Sequence, residues 1–282
     1  RLLGLGQSGT LIVVMGSKTT EPWYSSGDPS FPWDPIQNAL IPYGLGAPDS
    51  IVPLAGAPPW LAANEHGGPQ VVRMAGTQAV VLSTEDLEAI WQDYDHWDNA
   101  FAWGYELDKQ EYYVLTFPQP SAGGKAWIPE SATWVLNQTN GLWHRWSYLD
   151  PTSGEDTAAL GRSHAYCWGQ HFVSSRKDGS IYRLTPRSPY SGVHTDAGQP
   201  IRHLRRAPHI QAQDRPLFYN RFALDVQTGD APLSPTTGWD PYAILSYSDN
   251  AGRTYGARLR TTLGQRGDYD KVVDWWRLGS AM

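Results

Sequence analysis

Short apolar runs closed by glycine-containing turns recur along this chain, and they constrain its fold more than any other feature. The stretch "HAYCWGQHFVSSRKDGSIYRL" (His164–Leu184) reads as three strands with turns at Gly169-Gln170 and Asp178-Gly179. "SIVPLAGAPPWLAANEHGGPQVVRM" (Ser50–Met74) overlays on it: strand, Gly turn, strand, polar turn with Gly, strand. A third unit is "FAWGYELDKQEYYVLTFP" followed by "TWVLNQTNGLWHRWSYL", with Asn140-Gly141 as a strong hairpin-turn signal. "LIVVMGSKTTEPWY" supplies a fourth. A small meander cannot bury its faces alone, and a series of them buries faces by stacking. The pattern predicts an all-β chain: a β-propeller-like array of antiparallel meander blades, with residues 1–282 forming a single propeller-type domain.

One helix interrupts the strands. "STEDLEAIWQDYDHW" predicts a short helix near residues 84–94, with Ser83 or Thr84 as N-cap and Leu87, Ile90, Trp91 and Tyr94 on the packing face. From Glu85 to Asp98 there are six acids and no Lys or Arg. Arg202, Arg205, Arg206, Arg215 and Arg221, by contrast, fall in a stretch opposed only by Asp214. Two such surfaces are complementary faces of neighbouring subunits or two solvated faces, and charge alone does not choose.

Composition narrows the function. A formal net charge of −6 opposes general nucleic-acid binding through phosphate contacts. Fourteen Trp and 15 Tyr against six Phe, with Arg far outnumbering Lys, suit blade contacts and protein interfaces. The single Cys167 precludes an intrachain disulfide or a cysteine zinc cluster, and fits assembly in a reducing compartment. Leu11–Met15, the longest apolar run, is too short to span a membrane. The chain starts at Arg1 rather than Met, which leads us to expect part of a longer protein.

Catalytic motifs are absent from the sequence. A glycosidase needs two carboxylates flanking the scissile bond; Glu65, Glu106, Asp93 and Asp95 lie near aromatics, yet no spacing singles out a pair. The eight histidines, at 66, 96, 144, 164, 171, 194, 203 and 209, form no metal motif, although His164 and His171 sit on consecutive strands and can face each other. Cys167, between Tyr166 and Trp168, reads as a small apolar residue rather than a nucleophile. We expect no enzyme, no cofactor and no metal.

Residues 240–279 form a terminal hairpin segment containing "SDNAGRTY", which resembles the Asp-box pattern Ser-x-Asp-x-Gly-x-Thr-aromatic. Ser248, Gly252 and Thr254 match it; Asn250 stands in the Asp place and Tyr255 in that of Trp. The box is a hairpin tied by side-chain-to-backbone hydrogen bonds, with a structural role in propellers, including sialidases.

The ordered series "DPSFPWDPIQNALIPYGLGAPDSIVPLAGAPPWLAANEHGGPQVVRMAGTQAVVLST", "AFAWGYELDKQEYYVLTFP", "TWVLNQTNGLWHRWSYL", "RKDGSIYRL", "DAGQPIRHLRRAPHI" and "YSDNAGRTYGARLRTTLGQRGDYDKVVDWWRLG" resembles the packaged-DNA stabilisation proteins of short-tailed phages, the head-to-tail hub components. It runs from Lys18 to Gly279, departing at Asn250, Tyr255 and Trp276. The resemblance implies a structural, non-enzymatic tail subunit assembled in the host cytoplasm, in a homo-oligomeric ring of six. Its implied neighbours are the portal adaptor, the tail spikes or fibres, and a plug or needle. DNA would pass through without sequence-specific binding, and no membrane insertion is implied. Arg202, Arg205 and Arg206 are the expected interface residues. The competing expectation is a propeller that binds or cleaves a glycan of the host surface.

Overall fold

The computed structural model describes residues 1–54, 56–119, 131–185, 195–208, 210, 216–231, 240–250 and 252–281. The chain forms two compact units, Arg1–Pro186 and Arg187–Met282.

The first unit is a run of antiparallel sheets whose strands pair in sequence order. Blade 1 comprises β1 (Leu2–Ser8), β2 (Leu11–Gly16), β3 (Thr20–Ser25) and β4 (Trp33–Pro35). Blade 2 holds β5 (Gly44–Leu45), β6 (Pro59–Ala63), β7 (Pro69–Ala75) and β8 (Gln78–Val81). Helix α1 (Glu85–Gln92) leads into blade 3, which is β9 (Phe101–Leu107), β10 (Gln110–Phe117), β11 (Ala132–Asn137) and β12 (Leu142–Trp146). A small pair, β13 (Tyr148–Leu149) with β14 (Asp156–Thr157), precedes blade 4: β15 (Gly161–Cys167), β16 (Gln170–Ser175) and β17 (Ile181–Leu184). The four larger sheets are arranged as the four blades of a β-propeller, as the repeated meanders predict.

Strand alternation explains how the blades stack. Successive side chains point to opposite faces, so neighbouring residues of one strand enter different cores. Trp60, Ala62 and Val72 pack with Val13 and Met15 of blade 1. Their neighbours Leu61 and Val71 pack with Tyr113, Leu115, Phe117 and Leu136 of blade 3. Val114 and Val135 turn the other way, joining Trp103, Tyr105 and Val173 between blades 3 and 4. Blade 2 is therefore apolar on both faces, which is why "PWLAA" and "QVVRM" read as unbroken apolar runs.

Two local readings change. The run at Ser50–Leu54 is a turn of 3-10 helix (Pro48–Ser50) and irregular chain, not a strand. Pro48, Pro53 and Pro58 deprive it of ladder donors, and Ser50 serves as a buried connector instead. In blade 4 the turn centres on Trp168-Gly169, one residue earlier than the sequence suggests, because Cys167 pairs with Gln170.

α1 has Thr84 at its N-cap with no side-chain cap hydrogen bond. Ser83 works from outside the helix: its Oγ donates to Glu88 Oε1 at 2.6 Å and accepts the Val71 N–H at 3.1 Å. Leu87, Trp91 and Tyr94 are buried, whereas Ile90 is 42% exposed. At 100° per residue Ile90 lies about 60° from Leu87, at the margin of the buried stripe. Trp91 fills the gap between blades 2 and 3, with ring centroids 5.7 Å from Phe117 and 5.5 Å from Trp143.

The second unit contains two short pairs and a ribbon. β18 (Thr195–Asp196) pairs with β19 (Gln199–Pro200), and β21 (Tyr242–Leu245) pairs with β22 (Leu259–Thr262). β20 (Leu217–Leu224) pairs with β23 (Val273–Ala281). Trp275 Nε1 donates to the Leu259 carbonyl at 2.9 Å, tying the ribbon to the hairpin. Among the described residues no helix is long and apolar enough to cross a membrane.

Candidate functional site

The four carboxylates weighed for catalysis occupy different places. Glu65 lies in the β6–β7 turn beside His66, at 3.5 Å and largely exposed. Glu106 is on β9, opposite Glu111 of β10 in the register, and Asp93 and Asp95 follow α1 on the surface. Two surface depressions contain none of the four. One, of about 340 Å³, is lined by residues 38–43 and 77–79. The other, of about 310 Å³, is lined by Tyr247, Asp249, Asn250, Thr254, Tyr255 and Gly256. An acid and a base need to share one pocket, and the four are not gathered into one.

The densest polar and aromatic cluster lies between blades 3 and 4. His164 of β15 and His171 of β16 face each other with Nε2 to Nδ1 at 2.9 Å and rings stacked at 5.1 Å. Trp103 stacks on His164 at 5.8 Å, Tyr105 approaches both imidazoles at 6.0 Å, and Tyr166 covers His171 at 4.7 Å. Desolvation, then the charge of His171, pushes the His164 pKa down; a bond to the Gly104 backbone partly offsets this. Burial, with Tyr112 alongside, pushes the Tyr105 phenol well above its usual range. Both groups therefore stay neutral near pH 7 and hold the seam as a hydrogen-bonded, stacked unit. Among the described residues no group of three metal ligands forms.

Of the expected interface residues, Arg202, Arg205 and Arg206 lie on residues 201–208, an exposed stretch with no regular structure. Arg215, His194 and His209 lie outside the described residues. The Arg206 guanidinium sits over the Tyr255 ring at 5.4 Å, so the basic segment and the Asp-box-like turn meet. That turn is closed by its own side chains. The Gly252 N–H donates to Ser248 Oγ at 2.9 Å, and Ser248 Oγ donates to Asn250 Oδ1 at 2.9 Å. Asn250 Oδ1 also accepts the Thr254 N–H at 2.8 Å, while its Nδ2 donates to Thr254 Oγ1 at 2.6 Å.

Two features escaped sequence reasoning. On the β20–β23 ribbon, Arg221 Nε donates to Asp274 Oδ2 at 2.9 Å while its guanidinium covers Trp276 at 5.0 Å. Trp276 Nε1 donates to the same carboxylate oxygen at 3.0 Å. Arg221 lies over 50 positions before Asp274 and Trp276, and only the strand register brings it to them. The second is Trp168, at a hairpin tip; the Trp-Gly dipeptide marked it, had the glycine been read as the second turn residue.

A family model described as "Bacteriophage P22 Gp10, beta-propeller", a phage stabilisation family, matches residues 1–188. The match spans all four blades, and the later blocks of the resemblance lie beyond it. No curated protein matches the chain.

Proposed function

The chain belongs to this phage stabilisation family, whose members are structural proteins that stabilise packaged DNA, and from that premise we propose that it is a tail hub subunit. In this reading it extends and seals the DNA conduit below the portal and its adaptor, and retains the packaged genome. The observation that carries it is the family match across every blade of the first unit. A net charge of −6 supports a wall along which DNA slides without phosphate clamping. The proposed subunit acts without catalysis, in a homo-oligomeric ring of six against the adaptor, the spikes or fibres and a plug or needle. Arg202, Arg205 and Arg206 contribute to its subunit contacts.

Phage particles produced with and without this gene product test the reading. The expected result is the protein in purified tails, and empty heads when it is missing. Full, DNA-retaining particles without it would overturn the role and favour a glycan-binding accessory, examined next by glycan screening.

A further inference from the structure

Trp168 is 90% exposed and holds φ at 51°. With Gly169 at φ 70° it makes the centre of the β15–β16 turn, between the paired residues Cys167 and Gln170. Two-residue turns with both φ positive favour Asn or Asp before Gly, and a bulky ring there is strained. The equivalent β9–β10 turn in blade 3 begins with Asp108, φ 52°, the ordinary solution. Trp168 thus carries backbone strain with little burial to offset it. Strain kept at an exposed position points to a contact beyond the folded chain.

Its neighbours define the partner. Trp168 packs edge-on against Phe172 at 6.3 Å. Phe172 pairs across the sheet with Arg183, which is exposed, and Ile181 of the same strand face is 72% exposed. Strands β15, β16 and β17 carry no Asp or Glu; Arg183 lies beside the patch, whereas Arg162 turns to the Phe101 ring of blade 3 at 5.0 Å. The patch is apolar with a cationic rim, built from residue types that dominate interface energetics. A complementary surface exists on α1. Asp86 and Ile90 share one exposed face, at i and i+4, with acids dominating the segment around them. An exposed isoleucine rimmed by carboxylates fits an exposed tryptophan rimmed by arginine.

We propose that Trp168 and Arg183 of one copy dock on the Asp86–Ile90 face of α1 in a second copy. The two patches are different surfaces, so the contact is head-to-tail and propagates into a closed ring or a filament. The inference rests on the ring reading above and names a contact that would build it.

The test is sedimentation velocity on the full chain, with a thermal melt of each variant at low concentration. Trp168→Asn is expected to raise the Tm by about 2–4 °C, because turn strain is relieved. The same change is expected to weaken self-association by about thirtyfold, the loss of an interface anchor. Arg183→Glu is expected to weaken association about tenfold, and adding Asp86→Arg in the same chain to restore it. Undiminished association in Trp168→Asn, or a charge swap that restores nothing, overturns this contact and leaves the ring reading standing. A wild-type chain that stays monomeric overturns the contact, while its presence in purified tails would still support the hub role. Association that nucleic acid alone promotes overturns the second copy as partner.

Discussion

His171 and His164, on adjacent strands of blade 4, meet ring nitrogen to ring nitrogen at 2.9 Å at the seam with blade 3. With the His164 ring donating to the Gly104 backbone, we assign His164 Nε2 as acceptor and His171 Nδ1 as donor. Protonating His164 sets two N–H groups against each other. The folded pKa of His164 is depressed below the ordinary 6.5, so the unfolded chain binds that proton more readily. Stability then rises with pH: it is full above that ordinary value and is lost as pH falls through it toward the depressed one. Melting curves between about pH 8 and 5 are expected to show an acid loss that shrinks in His164→Phe, which keeps a ring on Trp103. An unchanged pH dependence in that variant would assign the loss to other groups.

Ser50 is completely buried, and its Oγ donates to the Ala47 carbonyl at 2.6 Å and accepts the Leu61 N–H at 2.9 Å. Its carbonyl accepts the Tyr113 hydroxyl at 2.9 Å, linking blade 3 to the entry of blade 2. Burial pushes the Tyr113 phenol far above its usual range, so it remains a donor throughout the accessible pH range. Ser50→Ala orphans a buried N–H and is expected to cost about 2–3 kcal/mol, against about 1–2 kcal/mol for Tyr113→Phe. Denaturant titration of both checks the order, and the larger loss should fall on Ser50.

Gly44 approaches the chain of the β2–β3 turn so closely that an added Cβ would lie 2.3 Å from the Ser17 carbonyl carbon. The neighbour is backbone and cannot rotate away. Gly44→Ala is expected to destabilise the first unit by about 3 kcal/mol or more, separating blades 1 and 2. Gly141→Ala, a hairpin-turn change at φ 72° with nothing within 4 Å, should cost less, about 1 kcal/mol. Comparing their melting temperatures tests backbone crowding against local strain.

The blades were legible because strand period and turn chemistry are local. Asn140-Gly141 and Asp178-Gly179 state their turns within a few residues, and the apolar runs between them state burial. What was hidden depends on which elements meet. Ser50 reads as one polar residue among many, and it matters because Leu61 and Tyr113 arrive from other strands. Ile90 fits the helical period, yet lies at the edge of the stripe that Leu87, Trp91 and Tyr94 bury. His164 and His171 could be paired from their strands, but Trp103 and Tyr105, which wall them, come from blade 3. The Arg221–Asp274–Trp276 cluster needed a register set 50 residues away.

Asn250 makes three of the side-chain contacts that close the Asp-box-like turn. Asn250→Ala removes all three and is expected to cost the turn about 1–2 kcal/mol. Asn250→Asp keeps the acceptor for Thr254 N–H and Ser248 Oγ, and Thr254 Oγ1 can rotate to donate in place of Asn250 Nδ2. Hydrogen exchange of the Gly252 and Thr254 amides reads the effect locally: protection should fall in Asn250→Ala and persist in Asn250→Asp.

Arg205 and Arg206 are adjacent, and their surroundings separate their roles. Arg206 lies over Tyr255 at 5.4 Å, so reversing its charge removes a cation–π contact worth about 0.5–1 kcal/mol at an exposed site. Arg205→Glu leaves that contact in place. If the segment serves an assembly interface, Arg205→Glu alone should reduce incorporation into tails while leaving the melting temperature unchanged. Arg206→Glu should lower both incorporation and the exchange protection of the Asp-box-like turn. Normal tails with altered DNA release in Arg205→Glu would instead assign the segment to the DNA, against the interface role.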